Sequence, residues 1–121
     1  MPSSTEIVAA YALAWNAPDG AERRRALERA WTDDGVYSDP TAEVAGRDAL
    51  LAHIGGFQAQ MPGARIVLTS GVDEHHGMLR FTWALRGSDG ATITDGVDFV
   101  ELAADGRIRR VTGFFGPPPA R

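Results

Sequence analysis

GVDFVEL, the stretch from Gly96 to Leu102, combines the apolar and β-branched residues of a buried strand with one carboxylate, Asp98, near its centre. Burying an ionised carboxylate among apolar side chains is costly unless the group is paired, solvated in a cavity or neutralised by a raised pKa. The stretch therefore predicts a core strand, running from Thr92 to Ala103, in which Asp98 either makes a structural hydrogen bond or faces an internal hollow.

The segments that flank this strand have the order expected of a sheet built from hairpins. On the C-terminal side, the tight-turn pair Asp105-Gly106 predicts a hairpin that leads into a last strand, Arg107–Phe115. On the N-terminal side we expect a long hairpin, with strands Arg65–Glu74 and Met78–Arg86 on either side of a turn near Gly77. The second half of the chain is therefore predicted to consist of long antiparallel strands.

The first half of the chain is mainly helical, because its apolar residues recur at helical spacing. A first helix is expected to begin at a cap formed by Ser4 or Thr5. The segments that follow are predicted to be a second helix over Ala21–Ala30, a turn at Asp33-Asp34-Gly35, a short strand Val36–Ser38, a loop Thr41–Ala45 and a third helix from Gly46 to about Gln60.

Helices that precede strands in this order predict an α+β domain, in which three N-terminal helices pack on a strongly curved, mainly antiparallel sheet. Such a cone encloses a tapered hollow, which is a natural form for a small-molecule site. The 121 residues are enough for one domain over residues 1–121, and we expect an ordered core over residues 4–116.

Two further polar residues are candidates for this hollow. Asp39 lies at the end of the short strand, directly before Pro40, and Tyr11 lies on the apolar face of the first helix. A carboxylate can act as a general base, and a phenol or a neutral carboxylic acid can donate a hydrogen bond to a developing oxyanion. Each residue also has a structural explanation. Asp39 can cap a turn, Asp98 can bond to an aromatic residue of the first helix, and Tyr11 can be a core aromatic.

The composition excludes several classes of function. The net charge is −4, all 12 basic residues other than histidine are arginine, and cysteine is absent, so disulfides, thiol nucleophiles and Schiff-base lysines cannot occur. An acidic chain offers no phosphate-tracking surface, and we expect no nucleic-acid partner. The pair His75-His76 does not predict a metal site, because adjacent residues of a strand point to opposite faces.

The sequence also lacks the features of a membrane or exported protein. No apolar run approaches the ~20 residues that a membrane span needs. The N-terminus lacks the basic start and apolar stretch of a secretory signal. We therefore expect a cytoplasmic protein with no membrane partner, and the arginine bias with abundant alanine and glycine is typical of a bacterial genome rich in G and C.

Three segments give the chain a resemblance to the NTF2-like superfamily, which includes ketosteroid isomerase, SnoaL-type polyketide cyclases and limonene epoxide hydrolase. They are Ala9-Ala10-Tyr11 in the first helix, the acidic turn and strand Asp33–Pro40, and Asp98 placed eight residues before Gly106 of the terminal hairpin. Gly46-Arg47-Asp48 resembles the start of that superfamily's third helix. The pattern covers residues 5–115 and is most similar to ketosteroid isomerase.

The resemblance implies an NTF2-like cone that binds a small apolar, ketone-like molecule, uses no cofactor or metal, and forms a homodimer through its sheet. It implies proton transfer of the Δ5-3-ketosteroid isomerase type, with Asp39 as general base and with Tyr11 and a protonated Asp98 as oxyanion-hole donors. The residues expected to line the ligand cavity are Trp15, Trp31, His53, Phe57, Phe81, Trp83 and Phe114.

Two other interpretations stay open. Some ketosteroid isomerases support the oxyanion tyrosine with two further tyrosines, and Trp31 and Ile54 stand at the corresponding places here. Their loss is consistent with a non-catalytic ligand-binding or dimerisation module. A SnoaL-type cyclase or an epoxide hydrolase would instead use Asp98 with Arg80 or His53. Strand alternation places Arg80 on the outer face of its strand, so we expect its side chain outside the hollow.

Overall fold

The computed structural model describes residues 2–121, in which three helices pack on one sheet. The helices are α1 (Ser4–Asn16), α2 (Gly20–Ala30) and α3 (Arg47–Gln60). The strands are β1 (Trp31–Asp39), β2 (Ala42–Ala45), β3 (Arg65–Leu68), β4 (Asp73–His75), β5 (Met78–Arg86), β6 (Thr92–Leu102) and β7 (Ile108–Phe115). The predicted α+β class is confirmed.

A side-chain cap fixes the starting residue of each of the first two helices. Ser3 Oγ accepts a hydrogen bond from the Glu6 N–H at 3.1 Å, and Asp19 Oδ2 accepts one from the Glu22 N–H at 3.1 Å. Each bond satisfies a backbone donor that the first helical turn leaves without an internal partner. Helix α1 is therefore capped by Ser3, just before the predicted caps.

The strands form one sheet in the order β2-β1-β7-β6-β5-β3, and β4 also pairs with β5. Neighbouring strands run antiparallel except β1 and β7, which run parallel. Register shifts interrupt the β1–β7, β5–β6 and β6–β7 pairs. Bulges of this kind bend a strand and increase its twist, and they curve the sheet around the helices.

Two predictions around β1 are corrected by the structure. The strand predicted over Val36–Ser38 begins at Trp31, and the expected turn Asp33-Asp34-Gly35 lies within an irregular part of it where the register with β7 shifts. The segment predicted as a loop over residues 41–45 contains β2, which folds back onto β1. Pro40 sits in the tight turn between them, where a missing N–H costs no sheet hydrogen bond.

The long strand predicted over Arg65–Glu74 is two strands, β3 and β4, that both pair with β5. Between them, the Thr82 N–H of β5 donates to Ser70 Oγ at 2.8 Å. A side-chain oxygen thus takes one position of the hydrogen-bond ladder, and regular pairing resumes at Asp73. Alternation in the sequence does not indicate this interruption.

Side chains of adjacent strands line up in rows across the concave face of the sheet. In β5, every second residue from Leu79 to Leu85 is buried, whereas Arg80 is exposed and pairs with Asp73 at 2.8 Å, as the alternation predicts. Three successive rows in register are Leu79–Val100–Val111–Tyr37, Phe81–Asp98–Gly113 and Trp83–Gly96–Phe115. Asp98 therefore lies in the middle of the concave face.

The hydrophobic core lies between this face and the helices. Each layer contributes side chains that are fully buried, among them Val8, Leu27, Leu50, Ile54, Val100, Ile108 and Val111. Burying one side chain of this size stabilises the fold by roughly 1.5–3 kcal/mol. The cluster holds the helices over one part of the sheet, and the remaining part of the concave face borders a cavity.

Candidate active site

A cavity of about 620 Å³ lies between the concave face of the sheet and helices α1 and α3. Tyr11, Asp39 and Asp98, the three predicted catalytic residues, all line it. So do five of the residues expected to contact the ligand: Trp15, His53, Phe57, Phe81 and Trp83. The fold thus gathers side chains from distant parts of the chain around one mainly apolar space.

Trp31 and Phe114 do not line the cavity, which corrects their predicted placement. Trp31 is fully buried behind the wall and stacks on the Tyr11 ring, with centroids 5.6 Å apart. Phe114 is 54% exposed, because its register partner is Val97 on the outer face of β6. The next residue, Phe115, lines the cavity instead and packs edge-on against Trp83 at 5.6 Å.

The Asp98 carboxyl is buried in the cavity wall with one protein partner. Its Oδ1 accepts a hydrogen bond from the Trp83 Nε1–H at 3.0 Å, and its Oδ2 has no hydrogen-bond partner within residues 2–121. Burial raises the pKa of Asp98 to about 7, and the nearby charge of Asp39 adds to this rise, whereas the Trp83 hydrogen bond opposes it. At neutral pH this carboxyl can therefore both give and accept a proton.

Two glycines make room for this arrangement. A Cβ at Gly96 would lie 2.6 Å from Cζ2 of Trp83, and a Cβ at Gly113 would lie 2.8 Å from Oδ1 of Asp98. Real Cβ atoms do not approach other heavy atoms this closely, so a side chain at either position would displace the donor or the acceptor. The same Gly113 position lies 3.7 Å from Cβ of Asp39, so the two acids lie on either side of this glycine.

Asp39 lies in a different environment from Asp98, although both border the same cavity. Its Oδ1 accepts from the Thr41 N–H and hydroxyl, each at 2.7 Å, and from the Ala42 N–H at 3.0 Å. Its Oδ2 accepts from the Tyr37 hydroxyl. Partial burial raises the pKa of Asp39, but these hydrogen bonds to its charged form outweigh burial and lower the pKa below its usual value. Asp39 is therefore an ionised carboxylate at neutral pH.

Tyr37 is a site residue that the sequence analysis missed. It lines the cavity, and burial together with its hydrogen bond to Asp39 raises its pKa far above the usual value for a phenol. The available signal is strand alternation, since residues two apart on β1 share a face, and Asp39 was already a candidate. Tyr37 stays protonated and donates to Asp39.

The Tyr11 hydroxyl is a donor without an acceptor among residues 2–121. Its ring is buried in the cavity wall, and burial and the charge of Asp98 raise its pKa well above the usual value. The phenol therefore keeps its proton. His53 of α3 completes this side of the cavity, with its ring against Trp15 at 5.9 Å and against Tyr37 at 5.6 Å.

A family model of the SnoaL-like domain matches residues 7–111. The chain belongs to the SnoaL-like family. This membership confirms the resemblance to the NTF2-like superfamily. None of the curated proteins matches the sequence significantly.

Solved structures with this fold agree with the family assignment. A candidate isomerase of the SnoaL-like family from Agrobacterium tumefaciens strain C58 is 35% identical, with a TM-score of 0.87 over 93% of this chain and 96% of that chain. A protein described as a candidate SnoaL-like polyketide cyclase from Jannaschia sp. CCS1 is 18% identical, with a TM-score of 0.74 over 93% and 84% of the two chains.

A third structure shows the same fold with a small molecule bound. It is a protein from Catenulispora acidiphila with a ketosteroid isomerase-like fold, in complex with trimethylamine. That protein is 14% identical, with a TM-score of 0.72 over 92% of this chain and 85% of its own. At these identities the second and third structures show the fold alone.

The helices and the metal-binding types of side chain within residues 2–121 bear on other kinds of site. None of the helices there has the length and apolar character that a membrane crossing requires. In the same range, no three side chains of the types that bind metals lie close enough together to hold an ion.

The raised pKa of Asp98 predicts a pH-dependent stability. A carboxyl whose pKa rises on folding favours the folded state most at low pH, and this contribution is lost as the pH rises through the folded value of about 7. Asp98→Asn stays neutral and can still accept from Trp83. We expect its unfolding free energy, relative to wild type, to increase by up to about 4 kcal/mol between pH 4 and pH 9.

Urea denaturation across this pH range measures the difference. Asp95→Asn is the matched control, because Asp95 lies on the same strand but is exposed on the opposite face. Its stability relative to wild type is expected to change little with pH. A difference between Asp98→Asn and wild type that stays constant with pH would contradict the assigned environment of Asp98.

Proposed function

We propose that this SnoaL-like protein is an acid–base enzyme that moves a proton on a small, mainly apolar carbonyl compound, in an isomerisation of the ketosteroid isomerase type. The observation that supports this proposal best is Asp98. Its buried carboxyl has one oxygen fixed by Trp83 and the other without a partner among residues 2–121, at the wall of a ligand-sized cavity. Cavities of this volume are typical of sites for small organic molecules.

Asp98 is the group best suited to transfer the proton. A general acid or base works best when its pKa is near the operating pH, and burial brings the pKa of Asp98 to about 7. In the proposed reaction the ionised carboxyl breaks a C–H bond next to the carbonyl and takes the proton, while the electron pair moves to the carbonyl oxygen. The protonated carboxyl then returns the proton to the γ-carbon.

Tyr11 is suited to stabilise the enolate formed in between. Its hydroxyl keeps its proton, lacks an acceptor among residues 2–121 and belongs to the same cavity wall. A preorganised donor in a water-poor site stabilises a developing oxyanion strongly. The role of base that the family resemblance gives to Asp39 fits the geometry less well, because four donors occupy its oxygens and lower its pKa.

The other interpretations have weaker support. A purely structural role for Asp98 leaves its second oxygen and its position at the cavity unexplained. A hydrolase or cyclase that uses Arg80 is disfavoured, since that side chain is 68% exposed and paired with Asp73 outside the cavity. His53 does line the cavity, and a role for it together with Asp98 is tested by the same experiment as the isomerase proposal.

Proton abstraction can be measured without knowledge of the natural substrate. A panel of small cyclic ketones, including cyclohex-3-enone, is incubated with the protein in D2O, and exchange next to the carbonyl is followed by proton NMR. We expect wild type to accelerate exchange and to convert the β,γ-unsaturated ketone to its conjugated isomer. Asp98→Asn should lower the rate by about 10²–10⁴-fold, which is the usual contribution of a positioned acid–base group.

Three comparison variants are assayed on the same ketones. Asp39→Asn is expected to lose much less activity than Asp98→Asn, and Asp95→Asn should match wild type. His53→Gln tests whether the histidine acts together with Asp98. Larger loss in Asp39→Asn than in Asp98→Asn would give the base role to Asp39. Wild type that accelerates exchange on no panel member would contradict the proposed reaction.

We further propose that two copies of the chain pair through the outer face of the sheet. Aligned rows there combine exposed aromatics with charges of both signs, Thr82–Val97–Phe114, Arg80–Phe99–Thr112 and Met78–Glu101–Arg110. The Phe99 and Phe114 rings pack edge-on at 6.0 Å, and they are 40% and 54% exposed. An apolar centre flanked by acids and arginines can complement itself across a two-fold axis.

Sedimentation velocity over a range of concentrations tests this pairing. Wild type is expected to sediment as a dimer, and Phe114→Glu as a monomer, because the new carboxylate would be buried against its own copy. Leu13→Glu is the matched control, since Leu13 is exposed on α1, away from the sheet face. A monomeric wild type, or a dimer unaffected by Phe114→Glu, would contradict the proposed interface.

A further inference from the structure

The charged side chains of the cavity wall are mainly acidic. The wall contains two carboxyl groups, Asp39 and Asp98, and within residues 2–121 none of the arginines lines it. Apart from His53, its other polar groups are neutral hydroxyls, indole N–H groups and an amide. A buried space of this composition repels anionic ligands and attracts cationic ones, and the attraction is stronger than in water because the surroundings screen charge poorly.

The negative charge is concentrated at the Asp39 side of the cavity. Asp39 remains ionised at neutral pH because of its hydrogen bonds. Its Oδ1 is fully occupied, but its Oδ2 accepts from Tyr37 alone among residues 2–121 and has capacity for one more donor. The Tyr37 oxygen, whose hydrogen goes to Asp39, can itself accept a hydrogen bond. Two acceptors on adjacent side chains therefore border the cavity.

Aromatic rings surround this side of the cavity. The Trp15 ring contacts Tyr37 at a centroid distance of 5.5 Å and Phe57 at 5.4 Å, with the ring planes inclined to one another. Trp15, Tyr37 and Phe57 all line the cavity, and the faces of aromatic rings attract cations. The remaining wall, towards Met61, Ile66 and Leu68, is apolar.

We propose that the ligand of this cavity is an amine with an apolar body, and that its ammonium group binds between the Asp39 carboxylate, the Tyr37 oxygen and the faces of the neighbouring rings. The inference rests on the proposed function in that it names the substrate class of the same cavity, an amine-bearing carbonyl compound. Asp39 then anchors the substrate, and Asp98 transfers the proton.

The two acids are close enough to influence each other. Both Asp39 and Asp98 border the position that a side chain at Gly113 would fill, and the charge of Asp39 raises the pKa of Asp98. An ammonium group bound beside Asp39 offsets that charge and favours the charged form of Asp98. Amine binding thus lowers the pKa of Asp98, expels its proton near neutral pH and prepares the carboxyl to act as a base.

Three probes of similar shape test the ligand class by isothermal titration calorimetry at pH 7: 2-naphthylmethylamine, 2-naphthalenemethanol and 2-naphthoate. We expect wild type to bind the amine at least tenfold more tightly than the alcohol, and the carboxylate most weakly. Asp39→Asn should reduce the preference for amine over alcohol to less than threefold. The matched control Asp95→Asn, which removes the same charge from the outer face, should keep it.

Proton release gives a second measurement on the same samples. Titrations in two buffers of different ionisation enthalpy are expected to show release of a fraction of a proton when wild type binds the amine. No release should accompany binding of the alcohol, nor binding of the amine to Asp98→Asn. The proton-release measurement requires no substitution at Asp39.

Two results would overturn the inference. One is wild type binding the alcohol as tightly as the amine, and the other is Asp39→Asn, folded by circular dichroism, keeping the full preference. Either result leaves ketone exchange by Asp98 untouched. Conversely, a strong amine preference in a protein that exchanges no ketone proton would contradict the proposed reaction and support the binding site alone.

Discussion

The structure depends on how one buried carboxyl is accommodated. The concave face of the sheet brings Asp98 into an apolar wall, where the part of the chain that the structure describes provides one donor for it, the indole of Trp83. The absence of side chains at Gly96 and Gly113 makes that contact possible. One hydrogen bond lowers the cost of burial without removing it, so the carboxyl remains easy to protonate and one of its oxygens stays available.

The same sheet holds a second carboxyl, whose pKa is shifted in the opposite direction. Asp39 lies on the other side of Gly113 from Asp98, yet four donors from β1, the following turn and the start of β2 keep it ionised. Two acids in one cavity whose environments move their pKa values apart can take two separate roles. The proposed division, with Asp39 as an anchor and Asp98 as the proton carrier, follows from the number of donors each acid receives.

Much of the fold and part of the site follow from the sequence, because they depend on local patterns. Helical spacing, hairpin turns and the family resemblance predicted three helices on a curved sheet, and strand alternation placed Arg80 outside. The sequence does not determine the register between strands that are distant along the chain. A shift of one residue in β7 puts Phe115 at the cavity and Phe114 outside, and the extension of β1 buries Trp31 behind Tyr11. The hydrogen bond from the Thr82 N–H to the Ser70 side chain likewise arises only when the strands pair.

The most direct test of this account is the ionisation of Asp98 itself. Carbon-13 NMR of the side-chain carboxyl carbons, assigned by comparison with Asp98→Asn, follows each aspartate as the pH is raised. The account predicts that Asp98 titrates with a midpoint near 7 and that Asp39 titrates below its usual value. An Asp98 midpoint at or below about 4, the value of an exposed aspartate, would show that the carboxyl is solvated and would contradict the central claim.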